Sequence, residues 1–168
     1  MTKVVVSLLI SAVLLVGPAA AAELKIGVVD AEDILNKSPE FKRIEESLKK
    51  KSEELGRPLQ QREQDFGKQV EEYQKQAQAG VIKEDARKRK EEEFKKKYEE
   101  IMKSKDDAAR TFQQHYQREM TPLLKKLEQA VEAVANEEKL DLVLPKGIGV
   151  YVRNKNLDIT EKVRSKFR

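Results

Sequence analysis

The chain has 168 residues, of which 38% are charged and 5% aromatic, with no Cys and no Trp. Its 34 basic and 30 acidic residues leave a formal net charge of +4, a slight excess over so many charges that names no polyanionic partner by itself. This composition excludes disulfide stapling and thiol chemistry and is poor material for a large globular core; its wealth of Ala, Glu, Lys, Leu, Arg and Gln favours long helices.

The first segment, MTKVVVSLLISAVLLVGPAAAAE, has Lys3, an apolar run from Val4 to Val16 and small residues ending at Ala22. It reads as a secretory signal peptide over 1–22, cleaved near Ala22. The run is shorter than the roughly 20 apolar residues of a spanning helix, and Gly17-Pro18 breaks any helix that would extend through the alanines as an anchor. The mature chain is expected to begin near Glu23 in an exported compartment.

Next comes KIGVVDAEDILNKSPEF, residues 25–41. Its β-branched start predicts a strand over 24–30 followed by a short helix. That order resembles the opening of a nucleotide-binding unit, but the turn has carboxylates where a phosphate site needs glycines. Asp30, Glu32 and Asp33 would repel phosphate. Their better role is to cap the helix and complement its N-terminal dipole, since no His or second carboxylate cluster stands by to make a metal site. Ser38 is a good N-cap and Pro39 suits a first helical position, so a second helix is expected to start there.

From Phe41 the apolar residues Ile44, Leu48, Leu55, Leu59, Phe66, Val70 and Tyr73 fall at spacings of three, four or seven, one narrow helical stripe. After Gly80 a second stripe runs through Phe94, Tyr98, Ile101, Ala108, Phe112, then Tyr116 or His115, then Met120, Leu123, Leu127, Val131 and Val134, with a slip near 116–120. Two facing stripes make an antiparallel hairpin with arms of roughly 60 Å. Its tip is expected near 77–85, where Gly80 suits a helix C′ position and Glu84-Asp85 suit the next helix start. Counting equally from the tip places Pro122 at the height of Pro39, where the hairpin leaves the body; Gly56 and Pro58 are expected to bend the first arm.

In the tail, Leu140, Leu142 and Leu144 alternate with polar or smaller residues, as do Ile148, Val150 and Val152 beyond Pro145 to Gly147, which predicts a β-hairpin. Asp158 or Thr160 can cap a last helix with Val163 and Phe167 on its inner face. The fold class is therefore α+β: a small β-sheet or barrel body, 23–38 with 123–168, carrying a coiled-coil hairpin over 39–122. Three strands do not enclose a core, so strands from other subunits are expected to complete it. The residues expected to carry that assembly are Ile26, Val28, Leu142, Leu144, Val150 and Val152.

Catalytic chemistry has no visible seat. His115 is the single histidine and falls on or beside the hairpin stripe; no nucleophile–base set is readable, so no catalytic residue, cofactor or metal is expected. The densest charge run is KEDARKRKEEEFKKKYEE, 83–100. Its basic and acidic blocks suit i,i+4 pairing on a solvated face. It also places Lys83, Arg87, Lys88, Arg89 and Lys90 at the tip beside Val81 and Ile82, a candidate surface for a client or an anion. Nucleic acid is a poor partner for an exported protein whose basic residues have no interleaved stacking aromatics.

Ile26, Val28, Val29, Asp30 and Ser38-Pro39 at the front, with Leu142-Val143-Leu144, Tyr151, Asp158-Ile159-Thr160 and Val163 at the back, resemble the Skp/OmpH family of periplasmic chaperones across the mature chain. The resemblance implies a homotrimer with a shared β-barrel body and three helical tentacles around a cavity. It implies a holdase that binds unfolded outer-membrane proteins without ATP, in the periplasm. The family's association with lipopolysaccharide adds anionic lipid or lipopolysaccharide as a further partner, with no positions assigned here. The alternatives from other classes are a coiled-coil spacer or tether of the envelope, and a lipid binder acting through the basic tip.

Overall fold

The computed structural model describes residues 24–147 and 151–167; the expected signal peptide and Ile148 to Val150 lie outside them. Strand β1 (Ile26–Val29) leads into helix α1 (Ala31–Asn36), whose N-cap Asp30 accepts from the Asp33 N–H at 2.9 Å. Helix α2 (Pro39–Gln78) starts at the expected Ser38 cap and runs as one helix through Gly56 and Pro58. Helix α3 (Glu84–Glu138) returns without interruption through Pro122 and stops at Lys139, a left-handed residue at φ 54°. Strand β2 (Leu142–Pro145), a 3₁₀ turn at Lys155–Leu157 and helix α4 (Thr160–Phe167) complete the order.

The strands pair differently from the expectation. β2 lies parallel to β1, with Ile26 opposite Leu142 and Val28 opposite Leu144. Of the expected hairpin partner of β2, 148–152, Ile148 to Val150 lie outside the described residues, and Val152 is half-buried in a segment that is not strand. The reason is topological. The long hairpin returns the chain to the start of β1, the end opposite the one it left by, and a parallel pair needs such a crossover. Asp141 N–H donates to Lys25 O at 2.8 Å and Lys146 N–H to Val29 O at 2.8 Å, which fixes both ends of the register. The other edge of β1 is also engaged, because Val28 bridges to Asp158 and Ile159 N–H donates to Val28 O at 2.9 Å.

The core sits where these elements meet the root of the arm. Leu123 and Val163 are wholly enclosed, with Ile34 and Val134 nearly so, and Val29, Ile44, Met120, Leu127, Ala130, Ile159 and Phe167 close around them. Each such large side chain contributes on the order of 1.5–3 kcal/mol by leaving water. On α3 the buried positions 120, 123, 127, 130 and 134 recur at three and four, the spacing that points one stripe inward. Val163 and Phe167 form the expected inner face of α4. Asp158 rather than Thr160 caps it, accepting from Thr160 N–H at 3.0 Å, while the buried Thr160 hydroxyl accepts from Asp30 N–H at 2.9 Å. Gly27 has no room for a side chain: a Cβ there would lie 2.7 Å from Leu140 Cδ1.

Beyond the root the arm is thinly packed. Ile44 is the sole buried residue of α2, and between Ile101 and Met120 none of α3 is buried. Polar contacts bridge the gap: Ser47 to His115 at 3.1 Å, Arg62 to Ser104 at 3.2 Å, Lys97 to Gln69 at 2.7 Å, and an ion pair of Lys105 with Glu63. His115 is thus the stripe position and Tyr116 is exposed, as is Tyr98, which the expected stripe had included. Arg118 Nη2 lies 2.7 Å from His115 Nδ1. Because a guanidinium only donates, Nδ1 accepts, and Nε2 carries the proton given to Ser47. Lys126 meets Glu40 at 2.7 Å, so the level of Pro39 falls near Leu127 and Pro122 stands about one turn higher up the arm than expected.

Candidate functional site

The arm tip is built by one backbone motif. At the end of α2, Val81 N–H donates to Gln76 O at 3.3 Å and Gly80 N–H to Ala77 O at 3.2 Å, with Gly80 at φ +69°. That is a Schellman closure, which needs a residue without Cβ strain at the left-handed position. α3 then begins after Lys83 with Glu84 and Asp85 in its first turn, where carboxylates complement the helix dipole. The turn divides the two apolar tip residues. Val81 is 70% exposed, and Ile82 folds back to line a groove of about 520 Å³ with Lys68, Tyr73, Gln76, Ala86 and Lys90.

Below the tip an aromatic lock holds the helices together. Phe94 meets Phe66 edge-on at 5.8 Å and Tyr73 at 5.3 Å between ring centroids, and Lys90 Nζ sits 5.3 Å above the Phe94 ring. The tip cations are mostly neutralised along α3: Arg87 pairs with Glu91 at 3.1 Å, Lys88 with Glu84 at 3.3 Å, and Lys90 with Glu93 at 2.9 Å. Lys97 and Lys90 together hold the Glu93 carboxyl down at about 2. Partial burial and then the bond to Glu91 raise the Tyr73 phenol. Among the described residues Lys83 and Arg89 make no ion pair; Arg89 Nε donates to Asp85 O at 3.3 Å. All seven expected tip residues are therefore gathered within two turns of one another, but their net field rests on two cations rather than five. Tyr73 and Lys68, from the facing helix, belong to the same groove. Both lie outside the tip residues expected from the sequence; the antiparallel register of the two stripes, which sets Tyr73 against Phe94, is the signal that could have found Tyr73.

The expected assembly residues divide into two sets. Val28 is 3% exposed and is covered within the single chain by the Asp158–Ile159 segment, so its burial needs no second subunit. Ile26 and Leu144 are half-buried, and Leu142 is 43% exposed. A further apolar face was missed: Leu124, 47% exposed, lies with Thr121, Leu127 and Val131 along an open groove on α3 of about 740 Å³. Its signal was a second stripe at 124 and 131, masked by the stronger one that builds the core.

No group of three or more His, Cys, Asp or Glu among the described residues is placed to hold a metal ion, and no described helix is long and apolar enough to cross a membrane. The arrangement offers a long two-helix arm with a mixed apolar and cationic end, rooted in a small mixed body. This is the architecture of a solved structure from Caulobacter crescentus CB15, a putative outer membrane chaperone (OmpH-like), which has a TM-score of 0.64 and 14% identity over 90% of this chain and 88% of that one. The model of the family described as outer membrane protein (OmpH-like) matches residues 25–167, and the chain belongs to that family. No curated protein sequence matches it.

Proposed function

We propose that this chain is an ATP-independent periplasmic holdase that binds unfolded outer-membrane proteins and keeps them from aggregating, working as a homotrimer after residues 1–22 have directed its export. The observation that carries this reading is the arm. It is an α2 of 40 residues, roughly 60 Å long, joined to α3 by a thin, largely polar seam and ending in exposed Val81. A flexible cage of such arms holds many sequences through numerous weak contacts and still releases them. Family membership and the likeness to a putative outer membrane chaperone support the same role. The exposed Leu142 edge of β2 and the Leu124 face of α3 give each body surfaces to bury against further copies.

The test is aggregation of a denatured outer-membrane barrel protein diluted from urea, followed by light scattering with and without the purified protein. Suppression at near-stoichiometric trimer is expected. No suppression at excess trimer refutes the proposal, and capture of one folded envelope partner without binding of unfolded barrels would establish the spacer in its place. A second reading, contact with anionic lipid or lipopolysaccharide through the tip, draws on Lys83 and Arg89, which lack carboxylate partners. Replacing both with Gln would then abolish vesicle binding, whereas replacing the paired Lys88 alone would leave most of it.

A further inference from the structure

At the root of the arm a cleft of about 450 Å³ is lined by cations from four different helices: Lys37 just after α1, Arg43 of α2, Lys126 of α3 and Arg164 of α4. Its apolar wall is Ile34, Pro39 and Phe167. Charge runs along one helix are ordinary solvated faces, but cations brought together from four separate stretches of chain are not produced by a helical repeat. Three of the four have partners. Lys37 pairs with Asp33 at 2.8 Å, Lys126 with Glu40 at 2.7 Å, and Arg164 with Asp33 and Glu161. Lys126 Nζ also stands 5.4 Å from the centre of the Phe167 ring. Arg43 is exposed and makes no ion pair or side-chain hydrogen bond among the described residues.

The set therefore holds four cations against three carboxylates, and one further negative charge would balance it. We propose that this cleft binds a carboxylate of a polypeptide, with Arg43 as its chief partner, Lys126 beside it, and the apolar wall taking the neighbouring side chain. The inference rests on the holdase reading for its ligand: a carboxylate is the one anion that an unmodified unfolded chain carries, on its acidic side chains or at its C-terminus. A monoanion also fits a deficit of one charge better than a phosphate dianion does. Placed between body and arm, such a contact would tether a client at the base of the cage while its apolar segments stay free to move among the arms.

The site is tested on the purified protein alone, by nuclear magnetic resonance titration with short peptides that end in Phe. Three probes separate the sources of the anion: a peptide with a free terminal carboxylate, the same peptide amidated, and an amidated peptide carrying an internal Glu. Shifts at residues 37–43 and 126 are expected with the first or third probe and not with the second. Arg43→Gln is expected to weaken binding about fivefold, the worth of an exposed ion pair, and Arg43→Glu to abolish it; neither change removes an existing contact, so both variants should fold. Equal binding of the amidated neutral peptide, tighter binding of inorganic phosphate, or indifference to Arg43→Glu would each overturn the proposal. These readouts need no aggregating client, so failure of the holdase assay and failure of this site are separately visible.

Discussion

Replacing Phe94 with Ala should uncouple the outer arm from the root. Phe94 is nearly buried, and its ring is the hub of the lock, 5.8 Å from Phe66 and 5.3 Å from Tyr73. Losing its burial costs about 2–3 kcal/mol, and losing two edge-to-face contacts about 0.5–1.5 kcal/mol each. The total is on the order of 3–6 kcal/mol, close to the range for truncations of Phe in protein cores. That loss falls on a segment with no other buried residue in α2 and only Ile101 besides in the outer part of α3. It should therefore appear as local opening rather than global unfolding. Native-state hydrogen exchange measures both: amides at 62–78 and 86–104 should exchange at least a hundredfold faster, while those at 123–134 keep their protection. Equal acceleration in both regions would show that arm and root unfold as one unit. No acceleration at all would show that the aromatic contacts hold nothing.

Three further outcomes follow from the body. Val28→Asp should unfold it, because Val28 is buried within the chain, whereas Leu142→Asp should leave the circular dichroism spectrum intact and lower the mass in sedimentation to that of a single chain; an intact oligomer in the second variant would remove β2 from the proposed interface. Gly27→Ala forces a Cβ to within 2.7 Å of Leu140 Cδ1 and 3.2 Å of Ile159 Cδ1, so overpacking should cost about 1–3 kcal/mol in urea denaturation; an unchanged midpoint would mean that the strand shifts freely. Thr160 first, and Lys146 next, hold the Asp158 carboxyl down at about 2 from its usual 3.8. Its charged form therefore adds stability that is complete above pH 4 and is lost as the pH falls to about 2. Asp158→Asn should flatten that part of the acid-unfolding curve, and a curve unchanged in shape would refute the coupling.

The arm was legible because its signals are local. A stripe at three and four, a Ser-Pro start and a Gly stop each act within a few residues of the structure they specify, so α2, the turn and α3 stand where the pattern puts them. The body was legible only in pieces. Leu142 and Leu144 marked a strand correctly, but alternation says nothing of which strand it joins, and β1, far back in the sequence, is a partner that no local pattern names. Val28 looked like an interface residue for the same reason: its cover, Ile159, is supplied from far along the chain. At the tip, the residue types pointed to a positive surface, yet whether a cation is free depends on the carboxylates that its rotamer reaches. Glu84, Glu91 and Glu93 remove three of the five.

The pairing of β1 with β2 also sets the order in which the molecule can form. Lys25 and Asp141, which close the end of the sheet, are 116 residues apart, and the helix that covers the core, α4, comes later still. A chain threaded from its N-terminus thus delivers β1 long before anything exists to receive it. The hairpin, by contrast, closes on contacts that start a few residues either side of Gly80, and loops that short close fast. The arm should be helical while the body is still open. A protein proposed to shelter incomplete chains passes through its own interval with an unpaired apolar strand, and the length of its arms is what makes that interval long.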